Sequence, residues 1–185
     1  MMKWKKYAAA FVAASLILGM TGCGVSHKSP ESVTESLIEA YVDGKEKRVK
    51  DCYGQKKDTE ASLQAEIDAT IAYFKAHNVK KLEIRDCDTL SENKDYTYVY
   101  ITYDLELENE QKYPCVGTYM VGKKEKDYNI LPPSKITDDM RTQAASDYVK
   151  FMTTDTYKQY NKDYDTFIKK NPGYEDKIAG KLLTK

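Results

Sequence analysis

Apolar positions recur along this chain with two periods, and the change from one to the other divides it. Val33, Leu37, Ile38 and Tyr41 follow helical spacing. Ser29-Pro30 ahead of them supplies an N-cap and a first-turn proline, and Gly44 stands where a helix stops. A short second helix carries Val49, Cys52 and Tyr53 and stops at Gly54. Leu63, Ile67, Ile71 and Phe74 stripe a third helix, with Thr59 placed to cap it and Asn78 near its end. The period then becomes two. Leu82 and Ile84 alternate with charged residues, and Ser91 to Asp95 is a polar turn. Residues 96–107 put Val99, Ile101, Tyr103, Leu105 and Leu107 on one face and Tyr96, Tyr98, Tyr100, Thr102 and Asp104 on the other. After Asn109-Glu110-Gln111 the chain returns over 112–122. Tyr113, Cys115, Gly117, Tyr119 and Val121 share the Val99 face if facing residues pair to a sum of about 220. A last strand at 127–131 is broken by Pro132-Pro133.

Helical spacing resumes after the prolines. Thr137-Asp138-Asp139 caps a helix with Met140, Ala144, Tyr148, Phe151 and Met152 on its stripe. Thr153-Thr154-Asp155 breaks it. A second helix carries Tyr157, Tyr160, Tyr164, Phe167 and Ile168 and ends at Asn171-Pro172-Gly173. Residues 174–183 form a final short helix. The strand at 96–107 is apolar on both faces, so both need cover. The first helices are expected on the Val99 face and the tyrosine-rich tail helices on the Tyr96-Tyr98-Tyr100 face.

The amino terminus has another pattern. Lys3, Lys5 and Lys6 precede an apolar run from Tyr7 to Met20, of about 14 residues, which is shorter than the ~20 needed to span a bilayer. The run closes in Met20-Thr21-Gly22-Cys23, and the chain then turns polar. This resembles the lipobox of bacterial lipoproteins. The resemblance implies a diacylglyceryl group on the Cys23 thiol and cleavage just before it. Two acyl chains hold a protein to a membrane stably. The implied domains are a signal peptide at 1–22, a tether of little order at 23–29, an α+β domain at 30–135 and a helical extension at 136–185. The implied location is the extracytoplasmic face of a cell membrane.

Composition changes this picture little. The 29 basic and 29 acidic residues balance, but without Lys3, Lys5 and Lys6 the count is 26 against 29, a net charge of −3. That gives no electrostatic basis for broad nucleic-acid binding. Beyond Cys23, the thiols Cys52, Cys87 and Cys115 match no zinc or Cys-x-x-Cys spacing. They read as small apolar residues. A Cys87–Cys115 disulfide is out of reach across a central strand, since two strand spacings are about 9.6 Å; pairing of Cys52 stays open.

Leu37-Ile38-Glu39-Ala40-Tyr41-Val42-Asp43-Gly44-Lys45 followed by Val49, with the meander after it, is similar to the opening of the NTF2-like superfamily. The resemblance implies an α+β cone of helices on an antiparallel meander sheet; the carboxy-terminal helices are extra to it. If such a cone holds a pocket, Tyr41, Phe74, Tyr103 and Tyr119 fall on its inward stripes. Some members of that superfamily use an Asp base and a Tyr acid, but Asp104 and Tyr103 alternate faces and cannot share a cavity.

Catalytic chemistry is not legible. His27 falls in the tether, and His77 at a helix end reads as a C-terminal capping residue. Asp86-Cys87-Asp88 and Asp138-Asp139 read as solvated or capping carboxylates, so no metal, cofactor or catalytic residue is expected. Fifteen of the 16 tyrosines lie beyond residue 22. They suit rims of a core and contact surfaces alike. The expected function is a non-catalytic, lipid-anchored binding module whose ligand is a small molecule, a peptide, cell-wall material or another envelope protein. An assembly role for the tail helices is the alternative, and a small cone-fold enzyme is a third reading.

Overall fold

The computed structural model describes residues 24–55 and 59–183. Cys23 and the expected signal segment at 1–22 lie outside the described residues. Three helices come first: α1 (Pro30–Val42), α2 (Glu46–Cys52) and α3 (Ala61–His77). Four strands follow, β1 (Val79–Glu92), β2 (Thr97–Leu107), β3 (Lys112–Lys124) and β4 (Asp127–Ile130), in one antiparallel sheet of order β1-β2-β3-β4. The chain ends in α4 (Asp138–Phe151), α5 (Asp155–Lys170) and α6 (Tyr174–Leu183). The fold is α+β, with helices before an antiparallel meander, the order the superfamily resemblance implies. No helix among the described residues is long and apolar enough to cross a membrane.

Local chemistry sets the ends of these elements. Ser29 and Ser32 exchange side-chain and backbone bonds in a capping box at the start of α1. The expected cap at Thr59 is not made: Glu60 holds the N-cap position of α3 without a side-chain bond, and the Thr59 hydroxyl is buried without a partner. Thr137 and Thr154 cap α4 and α5 through their hydroxyls.

The sheet register follows the alternation. Val99 lies opposite Tyr119 and Leu105 opposite Tyr113, a sum of 218. The Val99 face carries the main core, where Val33, Leu37, Ile38, Leu63 and Ile67 of the helices meet Val99, Ile101 and Leu105 of β2. Cys87 pairs with Ile101 and Cys115 with Tyr103, on opposite sides of β2, and Cys52, Cys87 and Cys115 are all free thiols.

The opposite face is covered by the tail. Tyr96, Tyr98, Met120 and Ala144 form a second apolar cluster, and the Phe151 ring lies 4.5 Å from that of Tyr100. Arg85 fastens α5 to this face, donating to Asp104 and to Asp163 at 2.7 Å each. The chain then leaves that face. Phe167 joins the main core beside Tyr113, and α6 packs on α3, where Lys181 Nζ donates to the Ala76 carbonyl at 2.6 Å.

Two further local expectations are corrected. Residues 24–29 do not form a loose tether: the Tyr128 amide donates to the His27 carbonyl at 3.0 Å, His27 Nδ1 meets the Tyr128 carbonyl oxygen at 2.7 Å, and Val25 packs on the core. His27 thus meets the edge of β4 that the meander leaves without a strand. His77 does not act as a charged cap. Asn78, at φ 52, caps α3, and the His77 ring is buried against Tyr73, Tyr113 and Tyr174.

Candidate functional site

Tyr41, Phe74, Tyr103 and Tyr119 are the residues that would line a pocket on the Val99 face if one were present, and three of them fill that position with their own side chains. Tyr41, Phe74 and Tyr103 are 2%, 4% and 6% exposed. Phe74 stands 6.1 Å from the Tyr41 ring and 6.4 Å from the Tyr103 ring. Burial pushes the Tyr41 hydroxyl up to about 12 and Tyr103 well above its ordinary range. Tyr119, the fourth residue of the set, lines an open cleft at the side of the sheet instead.

That cleft has a volume of ≈ 530 Å³. It exists because β4 is short. The β3–β4 ladder runs only from Val121 opposite Ile130 to Lys124 opposite Asp127, so before Val121 the side of β3 away from β2 has no strand neighbour. Thr118, Tyr119 and Met120 of β3 form its floor. On the core side stand Tyr53, at the end of α2, and Glu66 of α3. On the opposite side stand Tyr98 of β2 and Arg141, Ala144, Ala145 and Tyr148 of α4. Ile130, Leu131, Pro133 and Ile136 close one end, where Pro132-Pro133 carries the chain off the sheet.

Two glycines flank the floor residues and are closely approached. A Cβ on Gly117 would stand 3.0 Å from Tyr119 Cε2, so the tyrosine ring folds back along the strand. A Cβ on Gly122 would stand 2.7 Å from Leu131 Cδ2, so the Leu131 side chain would have to move to admit one.

The walls are aromatic and sparsely polar. The Tyr98 hydroxyl donates to Thr118 Oγ1 at 2.9 Å, and the Tyr41 and Tyr53 hydroxyls are 3.3 Å apart. Burial raises the Glu66 carboxyl, with the Tyr53 hydroxyl working against that shift. Burial also pushes Tyr148 up to about 12. Arg141, on the other wall, is paired to Asp138 at 2.8 Å. Such a site suits an amphipathic ligand with flat or branched apolar groups and a few polar contacts.

Other candidate groups lie elsewhere. Asp104 and Tyr103 do alternate: Tyr103 enters the core while Asp104 is held under α5 by Arg85. Asp86 accepts from the Tyr100 hydroxyl at 2.6 Å. Asp138 and Asp139 lie in the first turn of α4. Among the described residues no group of three His, Cys, Asp or Glu is placed to hold a metal ion. The three thiols are pushed up by burial, Cys52 to about 12, so they are protonated and poorly nucleophilic. The cleft residues Tyr53, Glu66 and Tyr148 escaped sequence reasoning because they come from three helices whose relative placement is tertiary.

No protein-family model matches the chain, and no curated protein matches it. Among solved structures it is similar to a crystal structure from Campylobacter jejuni described as a candidate NTF2-like transpeptidase. The identity is 21%, the match covers 56% of this chain and 98% of that one, and the TM-score is 0.39.

Proposed function

We propose that this protein is a lipid-anchored, extracytoplasmic NTF2-like binding module without catalytic activity, and that the cleft beside β3 is its ligand site. One observation carries the reading: the interior stripe is filled by Tyr41, Phe74 and Tyr103, while an open cleft of ≈ 530 Å³ with tyrosine walls remains beside it. An open aromatic cleft suits binding; a site closed by its own side chains would suit assembly alone. The anchor rests on Met20-Thr21-Gly22-Cys23. His27 is bonded to Tyr128 of β4 and Val25 packs on the core, so an acylated Cys23 would hold the domain close to the membrane surface.

Two measurements test the reading. Metabolic labelling with a fatty-acid analogue should mark the wild type and not Cys23→Ala, which should be found in the medium or as uncleaved precursor. Native mass spectrometry of protein taken from its own membranes should show a small adduct on the wild type that Ala145→Trp lacks. Ala145 is exposed and lines the cleft, so a large side chain there fills the site without entering the core. Labelling retained by Cys23→Ala removes the anchor, and an adduct unaffected by Ala145→Trp removes the site.

A second reading, assembly through the tail, has Val149 and Met152 in its favour, 63% and 43% exposed and three residues apart at the end of α4. A dimer in sedimentation that Val149→Lys dissolves would support it.

A further inference from the structure

Resting on the reading of the cleft as the ligand site, we propose that it recognises an organic cation, a methylated ammonium group carrying an apolar tail, with Glu66 as the counter-charge. The sign of the charge follows from the pairing of the walls. Among the described residues that line the cleft, Arg141 is the cation and Glu66 the anion. Arg141 is already paired to Asp138 at 2.8 Å, whereas Glu66 has no cationic partner among the described residues. The Tyr53 hydroxyl supports the ionised form of Glu66, and the side chain is otherwise exposed, so it is charged at neutral pH. The cleft therefore offers a negative charge that the protein itself leaves without a counter-ion.

The other polar groups largely answer one another. The Tyr98 hydroxyl donates to Thr118 Oγ1 at 2.9 Å, and the Tyr53 hydroxyl lies 3.3 Å from that of Tyr41. A sugar, or a primary ammonium with its three N–H donors, brings polar groups that need partners, and few are left here. A methylated ammonium has no N–H to satisfy. Its charge is spread over methyl groups, which pack on aromatic rings and are attracted by their faces. Tyr53 and Tyr119 border the cleft on the Glu66 side, and Tyr98 and Tyr148 border it on the other. Tyr119 and Tyr148 are half-buried, so each keeps part of its surface accessible.

The tail follows from the room that remains. A volume of ≈ 530 Å³ is more than a small ammonium head fills, and Ile130, Leu131 and Ile136 give one end of the cleft an apolar lining. A tail lying there would take apolar surface of both partners out of water. Two sources carry this chemistry, a free amphipathic cation and the choline headgroup of a lipid. They differ by a phosphate close to the nitrogen.

The test uses the full chain in a non-ionic detergent, with its methionine methyls labelled for NMR, and reads the signal of Met120, which lines the cleft. Choline is expected to shift that signal saturably. Its neutral isostere 3,3-dimethylbutan-1-ol, with carbon in place of the charged nitrogen, should bind about tenfold more weakly. Ethanolamine, which keeps the charge and lacks the methyls, should also bind more weakly than choline. Glu66→Gln, a change at an exposed residue, should weaken choline several-fold and leave the neutral alcohol unchanged. Tyr148→Leu should weaken choline, and Tyr148→Phe, which keeps the ring, should bind it as the wild type does. Hexyltrimethylammonium should bind more tightly than choline through its tail. If hexylphosphocholine binds more tightly still, the source is a lipid headgroup; the reverse order assigns a free cation. No shift with choline, equal binding of the neutral alcohol or of ethanolamine, or no effect of Glu66→Gln overturns the cation. If the native adduct is then still lost in Ala145→Trp, the cleft reading stands with a ligand of other chemistry. If Ala145→Trp keeps the adduct, the cleft reading falls and the cation with it.

Discussion

Acid should loosen this protein through one histidine. His77 is 5% exposed, with its ring 4.5 Å from that of Tyr73 and 4.9 Å from that of Tyr113. Its Nδ1 is 2.8 Å from the Tyr174 hydroxyl, while its Nε2 is buried without a partner. Burial lowers its pKa to about 4; the Lys181 ammonium pushes the same way and Glu175 opposes. In the unfolded chain the value is about 6.5. A depressed value in the folded state means that the neutral ring is preferred there. The contribution is full above about pH 6.5 and is lost as pH falls toward about 4. A gap of ~2.5 units corresponds to about 3.4 kcal/mol when titration is complete, of which about 2 kcal/mol is gone by pH 5. His77→Phe keeps a ring among its neighbours, cannot take a proton, and forgoes the Tyr174 bond at a cost of about 1 kcal/mol. Urea melts at pH 7.5 and pH 5.0 measure the difference. With a slope of about 1–3 kcal/mol per molar, the wild-type midpoint should fall by roughly 1 M more than that of the variant. Carboxylates shared by both proteins cancel in that comparison. Hydrogen exchange should locate the first opening in α6, which Tyr174 and Lys181 hold to α3. Equal pH dependence of the two proteins would refute the reasoning.

Further outcomes follow from the tail contacts. Arg85→Met leaves Asp104, 1% exposed, without its cation and should cost about 3–5 kcal/mol in urea melts at pH 7.5. The loss should shrink on acidification, because burial already raises the Asp104 carboxyl and removing Arg85 raises it further. Adding Asp104→Asn to Arg85→Met should recover most of the loss, whereas two additive losses would contradict an ion-pair role. Phe151→Ala empties a 2%-exposed site over Tyr100 and should cost about 3–5 kcal/mol. Limited proteolysis should then cut first near 152–154. Gly122→Val forces Leu131 outward from a 2.7 Å approach and should cost about 1–3 kcal/mol by thermal melting, with weaker ligand binding.

The register of the meander was legible because it depends on neighbours in sequence. Val99, Ile101, Tyr103 and Leu105 alternate against a polar turn, and a strand period of two fixes the buried face and restricts the register to steps of two, so the expected sum of about 220 stands at 218 in the structure. The helix stops at Gly44 and Gly54 were legible for a similar reason, since both sit at positive φ. His77 was misread because its helix-end position is local, while the rings of Tyr113 and Tyr174 that bury it arrive from residues far along the chain. Residues 24–29 were misread because nothing in their composition reports that β4 leaves an edge to fill.

The sequence by itself determined the order of elements and the two apolar faces of β2. These follow from periodicity and short motifs, which act over a few residues. Only the tertiary structure decided where the open space lies. The cleft depends on β4 pairing with only the last four residues of β3, on Leu131 closing over Gly122 and on α4 facing Tyr98 across a gap. Each of those is a distance between segments remote in sequence, and a distance of that kind is set by how whole faces pack, which no local pattern encodes.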